Sequence, residues 1–285
     1  MRILIAESEP PAVRDERRKS VGRSSGETFV ERLGDLAPEA TCDRVKPADR
    51  KGHLPDVSGI AGYDAVILTG SPLHVYEETP ETRREVDFMR AVFRSGTPSF
   101  GSCAGLQVAV VAAGGTVRAM TERREAGFAR GVVRQPAGQG HPLLDGRPPA
   151  FDAPAIHSDE VEALPQGSTL LASNAVTHVQ AAEIRHDGGI FWGVQYHPEI
   201  SLREVAGALR RQSDDLIEHG FARTDQDVEA HAALIEALHR EPGRRDLAWR
   251  LGLDDQVVDP AKRMTELSNF LVHLVRPSRS ARGRA

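Results

Sequence analysis

The chain has 285 residues, 40% hydrophobic and 27% charged, enough to bury the core of one large α/β domain with a smaller appendage. A net charge of −5 gives no footprint for nucleic acid or an acidic membrane surface, and no apolar run approaches the roughly 18 residues of a membrane span. Two cysteines far apart make no disulfide framework and the opening MRILIAE shows no basic-then-apolar leader, so a reducing, cytoplasmic setting is expected.

Residues 1–6 read as a short buried strand. The polar stretch 14–27 reads as a loop, with a helix after it from Thr28, and residues 40–46 as a second strand. In YDAVILTGSP (63–72), four apolar residues in a row end in Gly-Ser-Pro, as in a strand covered on both faces. Residues 79–96 read as a helix with Thr79 as cap, Pro80 in the first turn and Gly96 as stop. TPSFGS follows as a strand and AGLQVAVVAAGG as a helix closed by glycines. This alternation predicts a mostly parallel open sheet with helices on both faces, of the flavodoxin-like kind. From about 116 to 200, short β-like runs alternate with Pro- and Gly-rich turns, and from about 203 to 275 the pattern is helical. We therefore expect a main domain over 1–210, a helical extension over 211–285 and a flexible basic tail from about 276. Trp249, Leu253, Phe270 and Leu271 are expected to cap the main domain or to join two copies as a homodimer.

Gly101-Ser102-Cys103-Ala104-Gly105 has the form of a nucleophile elbow with Cys in place of Ser. With two cysteines and 26 glycines in 285 residues, such a match arises by chance ~0.02 times. A strand that turns this sharply into a helix brings its flanking backbone too close for side chains, hence the glycines. The turn lifts the sulfur to a helix N-terminus, where dipole and free N–H groups favour thiolate and can hold an oxyanion. Cys42 lacks this setting and reads as a core cysteine. A thiolate needs a base and the base an orienter. In FWGVQYHPEIS an apolar strand delivers His197 to a turn stiffened by Pro198, with Glu199 two residues on, near enough to fix the imidazole tautomer.

Taken in order, YDAVILTGSP, GSCAGLQ and GVQYHPE resemble the class I glutamine amidotransferases, a triad family, and in particular stand-alone types related to the glutaminase domain of GMP synthase. REAGF (124–128) and the His-x-Asp stretch in IHSDEV extend the likeness, which covers about residues 1–205. The resemblance implies that Cys103 attacks the side-chain amide of glutamine, that His197 moves the proton and that Glu199 orients it. It implies backbone donors near Gly70, Ser71 and Ala104 for the oxyanion, Gln107 against the substrate, and no metal or cofactor. His157 and Asp159 are either pocket residues or a polar turn before a strand. No phosphate-binding Gly-rich loop of an ATP-using half follows residue 210, so released ammonia would pass to a separate synthase, to a site in the helical extension or to solvent. Ala104 occupies a position often large in this family, which opens the pocket and raises γ-glutamyl hydrolysis of a small γ-glutamyl amide as the alternative. A non-catalytic binding protein on the same scaffold is the third reading.

Overall fold

The computed structural model describes residues 1–121 and 124–283. The strands are β1 (Arg2–Ala6), β2 (Thr41–Val45), β3 (Ala65–Leu68), β4 (Ser99–Ser102), β5 (Thr116–Ala119), β6 (Glu125–Arg134), β7 (Ala150–His157), β8 (Asp159–Ala163), β9 (Ser168–Ser173), β10 (Ala181–His186) and β11 (Gly189–Val194). The principal helices are α1 (Pro11–Val21), α2 (Ser25–Leu36), α3 (Val57–Ala61), α4 (Pro80–Ser95), α5 (Ala104–Ala112), α6 (Leu202–Arg211), α7 (Ser213–Glu218), α8 (Asp225–Arg240) and α9 (Arg245–Leu251). Short helical turns run from Asp255 to Asn269 and continue through a π-helical segment, Phe270–Val275, into Arg276–Ala281.

Nine strands form one sheet in the order β2-β1-β3-β4-β11-β10-β9-β6-β7, and β5 pairs with β8 beside it. The pairs from β2 to β11 are parallel and those from β11 to β7 antiparallel, a mixed sheet with helices on both faces as expected. Strand alternation sorts the core. Ile3 and Ile5 face one side with Phe29, Phe100 and Trp192, while Leu4 and Ala6 face the other with Met89, Phe93 and Leu106. The helix over 80–95 has the expected Thr79 cap and a left-handed Gly96 at its end.

Two expectations are corrected, for the stretch 14–27 and for Trp249. The stretch 14–27 is helical: α1 buries only Arg14 and Val21, so it shows no apolar stripe, and ion pairs hold it instead, Arg14–Asp49 at 2.7 Å and Arg17–Glu204 at 3.0 Å. β7 does not stand out in the sequence because Pro154 interrupts it; as the sheet's last strand it tolerates a residue without an N–H. Trp249 does not cap the main domain: it is 73% exposed, while Leu253 joins the cluster of α6 and α8 and Phe270 and Leu271 enter the principal core beside Phe100. From Arg276 the chain is helical through Ala281, and Arg282 donates to the carbonyls of Tyr63 and Gly96.

The parallel strands point their carboxyl ends the same way. β1 ends toward Glu9, β3 at Gly70, β4 at Cys103 and β11 toward His197, so one edge of the sheet gathers these residues, where open α/β sheets hold their ligands. Among the described residues no helix is long and apolar enough to cross a membrane.

Candidate functional site

Cys103 has φ +53° and ψ −113°, a strained conformation for a residue with a side chain, at the junction of β4 and α5. Its N–H donates to Val194 O at 2.9 Å, pinning the bend to β11. The glycines are required by space. A Cβ on Gly101 would lie 2.8 Å from the Gly105 backbone, and one on Gly105 would lie 2.6 Å from Leu68 O. Cys103 is 6% exposed, opens into a cavity of about 330 Å³, and its Sγ lies 4.0 Å from Ile156 O.

His197 reaches this sulfur from the turn after β11, where its N–H donates to Pro154 O at 2.7 Å. Its Nδ1 lies 2.7 Å from Glu199 Oε1, so the carboxylate accepts from Nδ1–H and leaves Nε2 free, and the ring and Cys103 both lie against Gly70 at the cavity. Burial disfavours the imidazolium, but the charge of Glu199 and the interaction with Cys103 outweigh it and raise the His197 pKa to about 10. Ser102 Oγ donates to the same Glu199 oxygen at 3.0 Å, while the other oxygen is buried with no hydrogen-bond partner. Gly70 lies against the ring: a Cβ there would come 2.8 Å from His197 Cε1. Sequence reasoning picked out Cys103, His197 and Glu199, and the fold brings the three to one cavity, with His197 bound to Glu199. Such an arrangement can present a thiolate, donate a proton from Nε2 and take one back.

Gly70, Ser71 and Gln107 border the cavity, and Ala104 begins α5 directly after Cys103. Ser71 Oγ donates to Ser8 O at 3.0 Å and accepts from Leu73 N–H at 3.2 Å, which shapes the loop after β3. Gln107 Nε2 donates to Asp159 O at 3.2 Å and to Gln195 Oε1 at 3.3 Å. His157 and Asp159 also border the cavity, at the junction of β7 and β8. His157 Nε2 lies 2.8 Å from Glu125 Oε2 and its Nδ1 2.9 Å from Asp159 O. The Asp159 carboxylate ties down the loop after β3, with His74 Nδ1 at 2.7 Å and Tyr76 OH at 3.3 Å; burial and the Asp159 charge push the Tyr76 hydroxyl up to about 12.

Sequence reasoning missed Glu125, Glu9, Arg17, His74, Glu204 and Arg211, which border the same cavity. Glu125 gathers His157, Asn174 Nδ2 at 2.6 Å and Gln180 Nε2 at 2.7 Å. These partners are 32 to 55 residues away in sequence, so no local pattern marks it.

The sequence model of the family described as "Glutamine amidotransferase class-I" matches residues 26–213. The chain is 38% identical over 284 residues to a gamma-glutamyl-L-1-hydroxyisopropylamide hydrolase of a Pseudomonas species, covering 98% of this chain and 94% of that protein. It is 36% identical over 147 residues to the glutamine-hydrolyzing GMP synthase of Thiobacillus denitrificans, covering 48% of this chain but a quarter of that protein (25%). Among solved structures, a glutamine amidotransferase from Thermotoga maritima superposes with a TM-score of 0.60 at 17% identity, over 93% of this chain and 98% of that one, a likeness of fold. By the family match and the full-length relative, the chain belongs to the class-I glutamine amidotransferase family.

Proposed function

We propose that the protein hydrolyses the γ-glutamyl amide of a small amine, with Cys103 as nucleophile, His197 as proton carrier and Glu199 as its orienter. The observation that carries this reading is the extent of one similarity. The family match ends at residue 213, whereas the likeness to the γ-glutamyl amide hydrolase runs through 98% of the chain, including the C-terminal helices. The cavity that Cys103 borders, about 330 Å³, lies within the range of small-molecule pockets.

In this reading the Cys103 thiolate attacks the γ-carbonyl carbon. Backbone N–H groups at Gly70, Ser71 and Ala104 hold the oxyanion, and Gln107 lies against the glutamyl portion. The C–N bond breaks as His197 Nε2–H gives its proton to the departing nitrogen, which leaves as a neutral amine. The neutral imidazole then takes a proton from water, the hydroxide attacks the thioester carbon, and the C–S bond breaks to return glutamate and the thiolate. The high His197 pKa serves the first step, because the ring holds its proton at neutral pH while the thiolate is present. His157, Asp159 and Glu125 form a packed polar wall that keeps the glutamyl side rigid.

The relation to GMP synthase keeps glutamine, the smallest γ-glutamyl amide, as the second candidate substrate, with ammonia passed to a separate synthase. Steady-state assays with glutamine and with γ-glutamyl alkylamides separate the two. The reading predicts a higher kcat/KM for the alkylamides; turnover of glutamine alone would overturn it.

A further inference from the structure

Resting on that reading, we infer that the arm of the cavity between α1 and α6 receives the amine half of the substrate, and that Arg211, beside Arg17, hydrogen-bonds to an acceptor oxygen on that amine. The substrate class is then the γ-glutamyl amide of a short amine bearing a hydroxyl or a carboxylate.

The direction of the amine follows from the proton. His197 must reach the leaving nitrogen, so the amine lies on the imidazole side of Sγ. From His197 the cavity wall continues through Ile200 to Glu204, Ala208 and Arg211 on α6, and across to Val13 and Arg17 on α1. In the opposite arm, toward β8, Gln107 is tied to Asp159 O and Gln195, and His157 to Glu125 and Asp159 O.

In the α1–α6 arm the acids are occupied, Arg17 by pairing with them, while Arg211 has no acid partner among the described residues. Glu204 accepts from Arg17 at 3.0 Å, Thr28 Oγ1 at 2.6 Å and Ser201 N–H at 2.9 Å. Glu9 accepts from Ser25 N–H at 3.0 Å and lies 3.7 Å from Arg17. Among the described residues, Arg17 Nε is buried with no hydrogen-bond partner. Arg211 donates to Ser20 Oγ at 2.8 Å, and among the described residues no carboxylate lies within ion-pair distance of it. A guanidinium carries five N–H donors, so Arg211, which borders the cavity, retains donors beyond the one given to Ser20. Burial and the neighbouring Arg17 charge disfavour its cationic form, a cost that an incoming oxygen offsets. Val13, Ile200 and Ala208 supply an apolar wall suited to a short alkyl chain.

The test is kcat/KM for three γ-glutamyl amides of similar shape, made from isopropylamine, 2-amino-1-propanol and alanine. Wild-type enzyme is expected to favour at least one oxygen-bearing amide over the isopropylamide by about 10- to 100-fold, as hydrogen bonds to a charged donor allow. Comparing the two oxygen-bearing amides tells hydroxyl from carboxylate. In Arg211→Gln that ratio is expected to fall toward one, through KM rather than kcat. A wild-type ratio near one, or a ratio unchanged in Arg211→Gln, overturns the inference and leaves the amide hydrolase reading standing. If none of the three is hydrolysed while glutamine is, the reading itself fails and the inference with it.

Discussion

Glu199 holds His197 on one oxygen and receives Ser102 on the same oxygen, so the charge of the carboxylate is aimed at the imidazole. Glu199→Gln keeps the shape and removes the charge. The alkaline limb of kcat/KM, set in the wild type by a His197 pKa near 10, should then move down by at least ~1 unit, because one source of the upward shift is gone. A pH–rate profile of the two proteins reads this directly. The same group links stability to pH. Its folded pKa lies above the unfolded value of about 6.5, so the imidazolium contributes stability that is fully present below pH ~6.5 and is lost as pH rises toward 10. Gly70→Ala should drive a methyl group into His197 Cε1, lowering kcat at least ~10-fold through the lost orientation of the base. Cys103, His197 and Glu199 were legible in the sequence because each lies in a contiguous motif whose backbone chemistry is local. Arg211 and Glu125 were not, because their significance depends on which partners the fold leaves to them.

At the scale of elements, the elbow between β4 and α5 depends on contact rather than on conformational freedom alone. Gly105 sits in the first turn of a helix, where alanine ordinarily gains about 1 kcal/mol over glycine. Here its Cβ would meet Leu68 O at 2.6 Å, so Gly105→Ala should instead destabilise the fold by ~1–3 kcal/mol, measured by denaturant unfolding. A stabilised protein would show that β3 can yield. The same balance explains which elements the sequence revealed. β3, α4, β4 and α5 carry their own signals: apolar runs, a Thr-Pro start and glycine stops. α1 is fixed by Arg14, Arg17 and Arg18 reaching acids elsewhere, and β7 by pairing at an edge, so neither has a local periodic signature.

Across the whole molecule, the C-terminal helices reach the strand that delivers His197. Glu266 takes Arg147 Nε at 2.7 Å and Nη2 at 2.8 Å, and accepts from Tyr196 OH at 2.9 Å, all with fully buried side chains. Phe270 meets Phe100 and Trp192 on the sheet. Glu266→Ala would leave Arg147 buried without its carboxylate, a loss of ~3–5 kcal/mol that a thermal or denaturant melt would register. A change under 1 kcal/mol would mean the helices are only loosely attached. Sequence periodicity indicated helices here but not their seat, because Phe270 and Trp249 look alike in the chain; burial of one and exposure of the other is decided by the sheet face that Phe100 and Trp192 offer.

The most direct test of the account is rapid quenching of the enzyme with a γ-glutamyl amide, followed by mass spectrometry of the peptides. A gain of one γ-glutamyl group on the peptide holding Cys103, absent in Cys103→Ala, is the predicted result. Substrate turnover with no acyl adduct, or an adduct on Cys42, would contradict it.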